Sequence, residues 1–67
     1  MNTIYKSAQA ALVAKDYNKV VLTMLQNDFD YVIGDSEYMV LVYNHNTFEC
    51  DVELRSNDEN RVLLNTF

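Results

Sequence analysis

The sequence has no proline, one glycine, one cysteine and one histidine, and only five basic residues among 67. Each shortage excludes something. Without proline, no strand is barred on that ground from the middle of a sheet. A lone cysteine forms no intramolecular disulfide and cannot build a zinc site, so core packing or a partner chain must hold the fold. It also points to a reducing compartment, and cytoplasm is the expected location. One His, one Cys and no glycine-rich phosphate loop leave no set of convergent polar groups. A chain this short hides only ~60% of the surface its unfolded form exposes, so it has no core to spare for a deep cleft. Neither catalysis nor a cofactor is expected. No apolar run approaches ~18 residues, and the amino end lacks the charged-then-apolar layout of a secretory signal, so a soluble intracellular protein without membrane contact is expected.

The shortage of base is equally informative. Net charge is −5 with a pI near 4.4, which argues against direct binding of nucleic acid, where Lys and Arg supply most of the affinity by neutralising phosphates. The imbalance is local. Residues 1–27 carry Lys6, Lys15 and Lys19 against Asp16, a net +2, whereas residues 28–67 carry Arg55 and Arg61 against nine acids, a net −7. Any electrostatic role belongs to the second half.

What is present reads as a single α+β domain over 1–67. Thr3 is a candidate N-cap for a helix over about 3–14, with Ile4, Ala8, Ala11 and Leu12 on one face and an Ala-rich segment that lets a neighbour approach closely. Asp16 is placed to cap a second helix over about 17–27, whose apolar stripe is Val20, Val21, Met24 and Leu25. From Asp28 the period becomes two. Phe29, Tyr31 and Ile33 suggest a short strand, Gly34-Asp35-Ser36-Glu37 a turn, Tyr38–Tyr43 a strand, Asn44-His45-Asn46 a turn, and TFECDVELR (47–55) a strand. Ser56–Asn60 reads as a further turn and Arg61–Phe67 as a last strand. The expected architecture is a helical hairpin on one face of a three- or four-stranded antiparallel sheet, ααβββ or ααββββ, in two layers.

In such a fold one sheet face meets the helices and the other meets water. Alternation assigns Phe48, Cys50, Val52 and Leu54 inward and Glu49, Asp51 and Glu53 outward. The carboxylates then form a row spaced by roughly 6.6–6.8 Å, with Asp58 and Glu59 near its end. If Asn44 faces Thr47, Tyr38, Val40 and Val42 stand beside the acids; a slip by one places Met39, Leu41 and Tyr43 there. Two roles fit the row: a guard against sheet-to-sheet aggregation, or a contact surface for a basic, partly apolar partner. As a contact surface it comprises Glu49, Asp51, Glu53, Asp58, Glu59, Tyr38, Val40 and Val42.

The remaining candidates read as structural. His45 sits in a turn between asparagines with no partner for proton transfer. Cys50 falls inward between Phe48 and Val52, as a small apolar core residue. Asp28, Asp30 and Asp35 lack the spacing and glycine position of a calcium loop, so no metal is assigned. The second helix, with Lys19 as its one base, is no reader of a DNA groove. Five tyrosines suit an interface.

In size, acidity, lack of catalytic motifs and isolated-domain organisation the whole chain resembles small phage-encoded inhibitors of bacterial defence, the anti-CRISPR type. That resemblance implies a protein target whose nucleic-acid-binding surface is basic, and a monomer or weak homodimer acting in the host cytoplasm. The alternative from another class is a homodimeric structural or regulatory subunit. An acidic row facing its own symmetry mate is repulsive, which counts against pairing through that row but not through the helices or an edge strand.

Overall fold

Asn2 rather than Thr3 starts the first helix, α1 (Thr3–Val13): in the computed structural model the Asn2 Oδ1 accepts from the backbone N–H of Ile4 and Tyr5 at 2.9 and 3.4 Å. Asparagine is as good a cap as threonine, and its position one residue earlier sets the helix start. Residues 2–58 and 60–66 are described. The hairpin bend follows at Lys15, in the left-handed region at φ 64°, with Lys15 and Asp16 amides donating to Leu12 and Ala11 carbonyls. Asp16 caps α2 (Tyr17–Asn27) through Lys19 N–H, as its position implies. Asp28, at φ 56°, ends α2 with its amide on the Met24 carbonyl, the left-handed helix termination that glycine usually supplies.

Four antiparallel strands follow in chain order across the sheet: β1 (Tyr31–Ile33), β2 (Glu37–Asn44), β3 (Glu49–Ser56) and β4 (Arg61–Thr66). Together with the helical hairpin they form the expected two-layer α+β arrangement. Ala8, Ala11 and Leu12 of α1 and Val20, Val21 and Met24 of α2 are buried against Val32, Met39, Val52 and Leu54. No buried polar or charged residue occurs among those described. Gly34 is required for space: a Cβ there would meet the Leu12 side chain at 2.9 Å and the Glu37 carbonyl oxygen at 3.1 Å.

The hairpin register is neither of the two alternatives. Asn44 lies opposite Glu49, not Thr47. Its Oδ1 accepts from the amides of Asn46 and Thr47, and its carbonyl accepts from Phe48 at 2.8 Å. This closes a four-residue loop, so Thr47 and Phe48 leave the strand. Phe48 sits at φ 59° and is 78% exposed, which overturns its inward assignment. Cys50 keeps inward parity opposite Tyr43 but is only half-buried, because the strands outrun the helices. An 11-residue helix is about 16 Å long, whereas eight strand residues span about 26 Å. Cys50 is therefore not a core residue.

Candidate functional site

A register shift of two residues preserves which side chains share a face. Met39 is buried opposite Leu54 and Leu41 half-buried opposite Val52. Tyr38, Val40 and Val42 therefore point away from the helices, opposite Arg55, Glu53 and Asp51. The alternates Met39, Leu41 and Tyr43 point inward. On β1, Tyr31 and Ile33 share the outward parity, opposite Val40 and Tyr38, and both are exposed. The outer face is thus an apolar band of two strands flanked by the charged side of β3; its β2 members Tyr38, Val40 and Val42 are half-buried, and α1 reaches its β1 edge, where Tyr5 lies edge-on to Tyr31 at 6.5 Å and Val13 shares a groove with Ile33. Sequence reasoning missed the β1 members; alternation about Val32 held the signal, but the pairing with β2 was needed to place them.

The acidic row is not a set of three equivalent free carboxylates. Glu53 Oε1 accepts from Arg55 Nε at 3.0 Å and lies 2.9 Å from the second guanidinium nitrogen. The hydrogen bond to Glu53, aided by one to Tyr38, raises the Arg55 pKa above its ordinary value against partial desolvation. Asp51 accepts from the Thr66 hydroxyl at 3.1 Å. Glu49 has no side-chain hydrogen bond or ion pair among the described residues. Asp58 is exposed in the β3–β4 turn, and Glu59 lies outside the described residues.

Charge on the outer face therefore runs in a gradient. At one end Arg55 and Arg61, the chain's two arginines, are direct cross-strand neighbours and help line a shallow depression of about 530 Å³ with Tyr38, Ser56 and Asn60. At the other end stand Asp51 and Glu49. Arg55 shares the parity of the acids, which the sequence makes legible; its pairing with Arg61 depends on the β3–β4 register, which it does not.

On the helical side, Glu37 opens β2 and ties the two layers together. It is ion-paired with Lys15 in the bend and accepts from the Tyr17 hydroxyl at 3.3 Å. His45 is exposed and stacks edge-on against Tyr43 at 4.8 Å between centroids, and among the described residues it makes no side-chain hydrogen bond or ion pair. No cluster of three His, Cys, Asp or Glu suited to a metal ion occurs among the described residues. In comparisons with known proteins, no family model, no curated relative and no solved structure matches the chain. No described helix is long and apolar enough to cross a membrane.

Proposed function

We propose that the protein is a non-catalytic binding module that works by laying its open sheet face on another protein. The observation that carries the reading is the outward-facing apolar band of Tyr31, Ile33, Tyr38, Val40 and Val42 beside Glu49 and Asp51, exposed on β1 and half-buried on β2. An apolar surface rimmed by charge of one sign suits a partner that is apolar at its centre and basic at its rim. Tyrosines at the band's edge supply large, amphipathic contact area.

Within that class the reading extends to an inhibitor, encoded by a phage or mobile element, that occupies the basic nucleic-acid-binding surface of a host defence complex. This extension is supported by the chain's size and acidity, and by Glu49 and Asp51 at the far end of the band as the acids available to a basic target. The test is plating of a phage on bacteria armed with an RNA-guided nuclease against it. Expression of the protein restores plaques, and Val40→Lys, which puts a positive charge in the band, abolishes the effect while leaving the fold intact. Failure to protect phage from any nuclease type removes the inhibitor reading; protection that persists in Val40→Lys removes the open face from it.

A further inference from the structure

The sheet has two edges, and only one is closed. β1 is three residues long, and the backbone of Ile33 is satisfied from α1: the Tyr5 hydroxyl accepts its N–H at 3.1 Å and the Gln9 amide donates to its carbonyl at 3.0 Å. β4 is six residues long and, among the described residues, makes no hydrogen bond outside β3. Edge strands are usually kept from pairing by proline, lysine, inward charge or a bulge. Residues 61–66 contain no proline, lysine or acid. The one such device is a bulge at Leu64, which leaves Arg61, Val62 and Leu63 in regular pairing with β3. Val62, on the inner face, is 51% exposed, and Leu63, on the outer face, 59%. Above this edge on the helical side, the exposed Leu22 and Leu25 of α2 line a groove of about 370 Å³ with Asn18, Val21 and Asn65.

We propose that β4 pairs antiparallel with β4 of a second copy, centred on Leu63, so that Val62 of each copy enters the Leu22–Leu25 groove of the other. Charge selects this direction. A parallel pairing sets Arg61 beside Arg61, whereas the antiparallel one carries each Arg61 to the Thr66 end of the other copy, where Asp51 stands next to Thr66 on the same outer face. Two strand spacings separate these positions, about 10 Å, within reach of an extended arginine. The acidic row lies one strand inside the edge, so it does not confront its own image. Antiparallel pairing of identical strands places the two-fold axis perpendicular to the sheet, which leaves both helical layers on one side and both open faces on the other.

Sedimentation velocity of the full chain over a hundredfold concentration range tests this. The wild type shows a reversible, concentration-dependent dimer. Leu63→Lys and Arg61→Glu each weaken it at least about tenfold, and Arg61→Glu combined with Asp51→Lys restores it. Val40→Lys leaves it unchanged, so the dimer and the open-face reading fail separately. A wild type that is monomeric throughout, a dimer indifferent to Leu63→Lys, or one broken by Val40→Lys overturns the proposal. Should Leu63→Lys not fold, Leu63→Cys in a Cys50→Ala background replaces it: oxidation then links two copies through position 63, and no link at concentrations where the dimer forms also overturns it.

Discussion

Met39 and Val40 are adjacent in one strand, and their surroundings differ completely. Met39 is fully buried under the two helices, while Val40, on the opposite face, is half-buried. The same contrast separates Leu54 from Arg55 and Val32 from Ile33. The buried inward residues hold the fold, and all of those described are apolar. Outward residues mix tyrosine, valine, arginine and carboxylate in an order that the fold does not require. Composition on the open face is thus free to serve contact with another molecule, whereas composition on the covered face is not.

The largest expected effect breaks this contrast from the inside. Met39→Ala leaves a cavity between sheet and helices and costs about 2–5 kcal/mol, a large part of the stability of a small domain. Val40→Ala costs less, about 0.5–1.5 kcal/mol, because Val40 is half-buried and its removal leaves no closed cavity. Urea unfolding of the two variants measures both. Next comes Gly34→Ala, where the added methyl group meets Leu12 and the Glu37 carbonyl oxygen; crowding costs about 1–3 kcal/mol by the same measurement.

A smaller effect of opposite sign is expected at the hairpin loop. Phe48 holds a left-handed conformation that suits glycine, and its ring is exposed. Phe48→Gly therefore raises stability, by up to about 1 kcal/mol after the entropy glycine adds to the unfolded chain. Thermal unfolding reads this as a higher Tm.

These positions also mark where the sequence is legible. Both helices and the inward pair Val52 and Leu54 follow from periodicity, because burial repeats at the period of the backbone, and Asp16 is legible as a cap; on β2, apolar on both faces, Met39 and Val40 are not told apart without the register. The register of β2 on β3 does not. It depends on the Asn44 side chain closing a loop and on a phenylalanine accepting φ 59°, and an alternating string gives no sign that its first apolar member is in the loop. Cys50 has the right parity and the wrong depth, since parity fixes direction while helix length fixes coverage. The row Glu49, Asp51, Glu53 was readable as a row; that Arg55 ties up Glu53 and Thr66 binds Asp51 needed the pairing of three strands.

The smallest effect concerns the bracket between bend and sheet. The hydrogen bond to Glu37 raises the Lys15 pKa above its ordinary value, so the folded chain keeps this proton to higher pH than the unfolded one. The contribution is complete at neutral pH and is lost as pH rises through and beyond the ordinary lysine range. Lys15→Met removes that alkaline dependence. Because Lys15 is exposed, the change is a shallow slope in Tm against pH, read between neutral and strongly alkaline buffer.

The most direct test of the open face as the working surface is photo-crosslinking in the cells where the protein acts, with a photoreactive residue at position 40 or, for comparison, at the exposed helical position 13. Position 40 should capture a discrete protein partner heavier than a second copy of this chain, and position 13 should not. Capture from position 13 with none from position 40 would contradict the account.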